Sequence, residues 1–327
     1  MSKSPILEPK TQAFIDAVSA QGGKQLYEMP YEEARQVLES LQAADVRKLP
    51  ADFEDTVLPT GPTGSVPVRI YRPKGSRGHL PVVMYFHGGG WILGSKNTHD
   101  RLVRDLVNGT NAAFVFVTYT PSPEAQFPIP NEQAYAATKY IAEHGSQYGL
   151  DSNRLAIAGD SVGGCMTAVV AQLAKERGGP NIRYQVMFYP VTDGTMSQAS
   201  HEQFANGPWL TRKTMEWMWD AYAPNKADRK KREAAPLNAT LDQLRGLPPA
   251  LLIVDENDIL RDEGEEYARK LMQAGVEVTP LRVLGTVHDF ALLNPLAETP
   301  AVRLAIELAS EKLSAALASQ TRKEAAA

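Results

Sequence analysis

Arg154-Leu155-Ala156-Ile157-Ala158-Gly159-Asp160-Ser161-Val162-Gly163 runs from a short apolar stretch into a serine flanked by glycines, and a helix-like segment follows to about Lys175. A brief apolar run that ends at a turn signal reads as a buried strand. A Gly-x-Ser-x-Gly sequence between strand and helix is the pattern of a sharp turn that lifts a serine hydroxyl above the edge of a sheet. Glycine at positions 159 and 163 suits it, because strand and helix backbones approach there and a Cβ would clash. Ser161 would then sit at the first turn of the helix, where free N–H groups and the positive end of the dipole favour developing negative charge. The same letters also fit an ordinary glycine-rich turn with a serine cap, so other segments must decide.

Outward from this turn, strand-like runs alternate with helical patterns. Strands are expected near 66–71, 82–86, 113–119, 154–158, 184–189, 250–254 and 278–283, with helices such as 131–144 and 263–274 between them. That alternation predicts an α/β fold with a mostly parallel central sheet and helices on both faces. Two segments break the rhythm. Residues 11–41 have helix-spaced apolar positions (Phe14, Ile15, Val18, then Val37, Leu38, Leu41 after a restart at Pro30), and 192–241 carries Phe204, Trp209, Met215, Trp217, Met218 and Trp219.

Tyr85-Phe86-His87-Gly88-Gly89-Gly90-Trp91 follows another apolar run. Consecutive glycines let backbone N–H groups approach a substrate oxygen, and two of them with the N–H of Val162 would form an oxyanion hole. A phosphate-binding loop is the alternative, but neither Gly-Lys-Ser/Thr nor Gly-x-Gly-x-x-Gly is present. His87 reads as a structural brace for the loop. A serine nucleophile needs a base and a group to orient that base. Of the six histidines, His79 falls at the wrong end of its strand, His99 and His144 lie in polar or helical surroundings, and His201 lies in a polar stretch. His288 follows a late strand in a short loop, where an open α/β sheet places functional groups. The acid should lie between serine and base in sequence, in the segment Asp255-Glu256-Asn257-Asp258 after the run 251–254. Asp258 is the better placed to turn toward His288, with Asp255 next; Asp262 and Glu263 read as first-turn carboxylates of the following helix.

With these residues in place, the chain resembles bacterial members of the hormone-sensitive lipase family of α/β-hydrolase carboxylesterases. The matching stretches are His87 to Trp91, Gly159 to Gly164, Asp258 to Gly264 with Tyr267-Ala268, Gly285 to Phe290, Phe127-Pro128 and Gly246 to Ala250. The resemblance implies an α/β-hydrolase fold with a helical cap, a triad of Ser161, Asp258 and His288, and oxyanion donors at Gly89, Gly90 and Val162. It implies a serine carboxylesterase acting on short- to medium-chain esters through an acyl-enzyme, with no metal or organic cofactor and a homodimer as one expected state. The cap would comprise residues 1–50 and 193–241, around a core of 51–192 and 242–320 and a tail of 321–327. Trp91 and Trp209 are candidate walls of the substrate pocket. Departures from the family pattern are Val162 for alanine, Cys165 for asparagine, Thr120-Pro121-Ser122 for Arg-Leu-Ala, and Asp289 for glycine. An amidase or formamidase using the same triad, and a receptor that only binds small molecules, are the competing readings; retention of His288 speaks against the receptor.

Composition agrees with a globular enzyme: 43% hydrophobic and 22% charged residues, with a net charge of −4 that argues against a nucleic-acid surface. The opening Met1 to Pro9 lacks a secretory pattern and no run is long enough for a membrane span. The single cysteine, Cys165, reads as a small buried apolar residue. A cytoplasmic location is the expectation that fits these features.

Overall fold

The computed structural model describes residues 5–318. The first four residues of the expected cap segment, the last two residues of the expected core and the tail expected at 321–327 lie outside them. In chain order the elements are α1 (Pro9–Gln21), α2 (Tyr31–Gln42), β1 (Ala51–Leu58), β2 (Val66–Pro73), β3 (Leu80–Phe86), α3 (Asp100–Thr110), β4 (Ala113–Val117), α4 (Ile129–His144), β5 (Leu150–Asp160) and α5 (Val162–Glu176). They continue with β6 (Gln185–Phe188), α6 (Ala199–Gln203), α7 (Arg212–Tyr222), α8 (Leu241–Leu244), β7 (Ala250–Asn257), α9 (Arg261–Gln273), β8 (Val278–Val287) and α10 (Pro300–Leu317). All seven expected strands are present, with ends shifted by a few residues.

The strands form one sheet in the order β1-β2-β4-β3-β5-β6-β7-β8. β1 and β2 run antiparallel, as do β2 and β4, and the remaining pairs are parallel. Alternation along β3 shows why both faces are covered. Val82, Met84 and Phe86 enter one apolar core with Leu155 and Ile157, whereas Val83 and Tyr85 enter the other with Ala156 and Ala158. A strand buried on both sides must be apolar at every position, and this is what makes the central strands legible as continuous apolar runs. α4, α5 and α9 pack toward the first core, and α3 and α10 pack on each other over the second.

β1 was not expected. Its sequence, Ala-Asp-Phe-Glu-Asp-Thr-Val-Leu, is largely exposed, and the apolar face formed by Ala51, Phe53 and Val57 is interrupted by Asp55. Polar pairing fixes it instead: Asp55 lies opposite Arg69 on β2 and accepts two hydrogen bonds from it, each 2.8 Å. The Arg69 guanidinium holds the Asp55 carboxyl well below the usual carboxylate range against the opposing effect of its partial burial.

The turn between β5 and α5 depends on close approach. A Cβ on Gly163 would fall 1.9 Å from the carbonyl oxygen of Phe86, and one on Gly159 would fall 2.3 Å from that of Gly163. Ser161 itself has φ 54°, a left-handed conformation that costs a non-glycine residue about 1–3 kcal/mol unless its surroundings enforce it. Hydrogen bonds on both sides do so, from Ser161 N–H to the Phe188 carbonyl (2.9 Å) and from Val191 N–H to the Ser161 carbonyl (3.2 Å).

Because the obstruction at Gly163 is backbone, no rotamer change relieves it. Gly163→Ala is expected to lower unfolding free energy by at least about 3 kcal/mol or to abolish folding. Denaturant unfolding measures this, and a midpoint equal to that of the parent chain would contradict the close approach.

Candidate active site

β5, β7 and β8 end at the same edge of the sheet, and each delivers one side chain. Ser161 follows β5, Asp258 follows β7 and His288 follows β8. The serine Oγ lies 2.9 Å from His288 Nε2, and His288 Nδ1 lies 2.8 Å from Asp258 Oδ2. With Nδ1–H donating to the carboxylate, the neutral imidazole presents Nε2 as the acceptor of the serine proton. Asp258 is held in turn, because its Oδ1 accepts from the N–H of Leu260 at 3.0 Å. Ser161 and His288 are each 3% exposed, and the ring of Tyr189 stands edge-on to the imidazole at 5.0 Å.

Burial alone would lower the pKa of His288. The negative charges of Asp258 and Asp289, the hydrogen bond to Asp258 and the more distant Asp255 outweigh it, and the imidazole is raised well above its ordinary value. Asp255, the alternative acid, does not contact the imidazole through a hydrogen bond. It is fully buried, with a long contact from the Thr286 hydroxyl (3.4 Å) on Oδ1 and an unpartnered Oδ2. Burial and then the charge of Asp258 push its carboxyl well above the usual carboxylate range. Asp255, Asp258 and His288 stand close enough to ligate a metal ion, but both ring nitrogens of His288 are already engaged with Ser161 and Asp258.

The glycine loop lies against the start of α5. Gly89 and Gly90 have φ 105° and 63°, and their N–H groups donate to no backbone carbonyl among the described residues. Val162 is the first residue of α5, so its N–H has no partner within the helix. These are the amides expected as oxyanion donors. His87 braces the loop as expected, with Nδ1 2.8 Å from the Gly88 carbonyl and the ring stacked between Tyr119 (4.2 Å) and Phe116 (5.2 Å). Burial, followed by the neighbouring His99, lowers this imidazole to about 3, which keeps it neutral.

Sequence reasoning missed Asp160. Its fully buried carboxylate accepts from the Tyr85 hydroxyl (2.7 Å) and the Gly88 N–H (3.1 Å) on Oδ1, and Oδ2 faces His99 Nε2 at 3.2 Å. Burial opposes its ionisation, yet the contacts with His99 and Tyr85 hold the carboxyl below the usual range. The available signal was a charged residue inside an otherwise apolar strand-to-helix turn. His201 differs from its reading as part of an irregular polar stretch, and Glu263 does more than its first-turn position alone suggests. His201 lies in α6, completely buried, 2.7 Å from Glu263 Oε2, and Glu263 Oε1 accepts from the N–H groups of Thr192 and Asp193. Glu263 is thus a first-turn residue of α9, as expected, and its carboxyl oxygens anchor the segment after β6.

Both segments outside the alternation close over this edge. From α7, Met218 covers the loop so tightly that a Cβ on Gly90 would be 2.2 Å from its sulfur. Trp91 is fully buried and stacks on Tyr222 at 4.0 Å and against Trp219 at 4.9 Å; it clamps α7 onto the glycine loop. Trp209 is half-buried, packs on Phe14 of α1 at 5.3 Å and donates its indole N–H to Asp289 Oδ2 at 3.3 Å. Arg35 of α2 donates to the carbonyls of Ile92 (3.0 Å) and Ser122 (3.1 Å). Cys165 is buried, and its thiol is raised by burial far above reactive values.

Comparison with known proteins agrees with this arrangement. The profile of a family described as the alpha/beta hydrolase fold matches residues 83–292. An α/β hydrolase of Acanthamoeba polyphaga mimivirus is 42% identical over 302 residues, covering 92% of this chain and 86% of the relative. An ethyl acetate hydrolase of Pseudomonas putida is 35% identical over 301 residues, covering 89% and 94%. The crystal structure of a thermostable esterase from Pseudomonas putida superposes with a TM-score of 0.95 at 48% identity, across 98% of this chain and all of the other. The chain belongs to the α/β-hydrolase fold family, among its hormone-sensitive-lipase-like carboxylic ester hydrolases.

Proposed function

We propose that the chain is a serine carboxylesterase for short- to medium-chain esters, with Ser161 as nucleophile, His288 as general base and acid, and Asp258 as the group that orients the imidazole. The observation that carries this reading is the unbroken hydrogen-bonded line from Ser161 Oγ through both nitrogens of His288 to Asp258, 2.9 and 2.8 Å. In the first step Ser161 Oγ bonds to the carbonyl carbon while its proton passes to His288 Nε2, and negative charge moves to the carbonyl oxygen. The N–H groups of Gly89, Gly90 and Val162 receive that charge. Such donors act chiefly on the transition state, because the charge is not present in the ground-state ester. Collapse expels the alkoxide, which takes the proton from Nε2. Water then repeats the sequence on the acyl-enzyme, with His288 accepting its proton and returning it to Ser161 as the acid leaves.

The preference for short acyl groups rests on how closely α7 covers the loop, with Met218 on Gly90, and on the likeness to a relative named for ethyl acetate hydrolysis. Residues 1–50 and 193–241 serve as the cap that bounds the pocket, with Trp209 as a wall and Trp91 as its anchor to the loop.

Nitrophenyl esters of two to sixteen carbons test the acyl range: turnover is expected to peak among the shorter members and to decline toward the longest, and a maximum at the longest chain would overturn it. Stoichiometric labelling by an organophosphate is expected in the parent and none in Ser161→Ala, whose turnover should drop by about a million-fold. Labelling that survives the substitution would remove Ser161 from its role.

Only neutral imidazole can accept the serine proton. Asp258 and Asp289 raise His288, so activity is lost as pH falls through a value above the ordinary imidazole figure of about 6.5. This places the acid limb higher than the range of about 6 to 7 expected of an unperturbed histidine. A kcat/KM profile that stays level down to pH 5 would exclude His288 as the base.

A further inference from the structure

Asp289 brings a second carboxylate to the reacting edge, and the triad does not use it. It follows His288 directly, at φ 65°, a conformation that favours glycine. Something must hold an aspartate there. Trp209 binds one end of the side chain, through its indole N–H on Oδ2. The other oxygen, Oδ1, is closed off from solvent, has no hydrogen-bond partner, and lies 3.4 Å from His288 Nε2. The side chain as a whole is 18% exposed against 3% for His288, so it stands at the more open side of the centre.

Position assigns this oxygen to one part of the substrate. His288 Nε2 is the atom that returns a proton to the leaving alkoxide, so the leaving oxygen must come within hydrogen-bond distance of it. A group attached one carbon beyond the alcohol carbon then falls within reach of Asp289 Oδ1. An unpaired acceptor in a site shielded from water favours a ligand that supplies the missing donor and disfavours one that brings a second negative charge.

We propose that Asp289 Oδ1 forms the acceptor of a leaving-alcohol subsite, which selects esters whose alcohol carries a hydroxyl or protonated amine on the neighbouring carbon and discriminates against alcohols carrying a carboxylate there. The inference rests on the esterase reading above and deepens it by naming the alcohol. It also places a charge close to His288, whose other neighbours are Asp258 from the loop after β7, Asp255 at the end of β7, Tyr189 after β6 and Ser161.

The test uses the full chain and three acetates that differ at one position of the alcohol: ethyl acetate, 2-hydroxyethyl acetate and O-acetylglycolate, followed by acid release. Parent, Asp289→Gly and Asp289→Asn are compared; glycine suits the positive φ, and asparagine keeps the volume and an acceptor for Trp209. Catalytic efficiency toward the hydroxyethyl ester, taken relative to ethyl acetate, is expected to fall by about ten-fold or more in Asp289→Gly, the scale of a hydrogen bond to a charged group. O-acetylglycolate is expected to gain by about ten-fold relative to ethyl acetate in both variants, and the acid limb of the pH profile to move to lower pH in both. Ratios unchanged between parent and variants would overturn the subsite. Loss of all three activities in both variants would also overturn it, assigning Asp289 to support of the triad. Absence of turnover of every acetate by the parent would instead overturn the short-chain esterase reading.

Discussion

A single buried carboxylate ties the turn that presents Ser161 to the glycine loop beside it. Asp160 belongs to the strand-to-helix turn that presents Ser161, yet its oxygens are spent on the neighbouring strand and loop: Tyr85 on β3, the Gly88 N–H, and His99 at the start of α3. A buried charge of this kind is tolerable only when several donors surround it, and here the donors are the parts that must be aligned. Gly88 accommodates the contact because any side chain would meet the carboxylate, with a Cβ placed 2.3 Å from Oδ2. Ser161 and the glycines at 89 and 90 come from segments about seventy residues apart in sequence, and this network fixes their spacing through Gly88 without taking up the N–H groups of Gly89 and Gly90.

Unfavourable backbone is concentrated at the same edge. Among the described residues six have positive φ without being glycine; Asn111 and Met196 lie elsewhere, and the other four, Ser161, Trp91, Tyr189 and Asp289, touch or neighbour the Ser161–His288 pair. Strain of this kind persists only where surrounding packing over-determines it. The sheet supplies that packing, since the central runs of β3, β5, β6 and β7 send apolar side chains into a close-packed core on each face. The rigid sheet thus holds several costly turns in register, and those turns set the direction of Ser161 and His288.

The central architecture was readable because doubly covered strands must be apolar throughout, and the glycine-serine and triple-glycine turns have few other uses. Ser161, His288 and Asp258 were each reachable by position after a strand. What escaped reading has a shared physical cause. β1 is held by paired charges across an exposed edge, Asp160 and Glu263 by donors from distant segments, and Trp91 by stacking on α7; none of these leaves a period or a local motif. Asp262 and Glu263 looked alike in sequence, but only Glu263 is fully buried against His201 and the amides of Thr192 and Asp193. Partners remote in sequence decide such cases, and a single chain read linearly does not disclose them.

The packing of Phe14 on Trp209, of Tyr31 on Trp217 at 5.4 Å, and of Arg35 on the carbonyls of Ile92 and Ser122 has a consequence for the order of assembly during synthesis. α2 finds part of its seat among residues 92–122, but the aromatic partners of α1 and α2 leave the ribosome roughly two hundred residues after them. Until then Phe14 and Tyr31 remain apolar surface without cover. Closure over this edge of the sheet accordingly waits on the segment that carries Trp209 and Trp217, long after the helices it covers have been made.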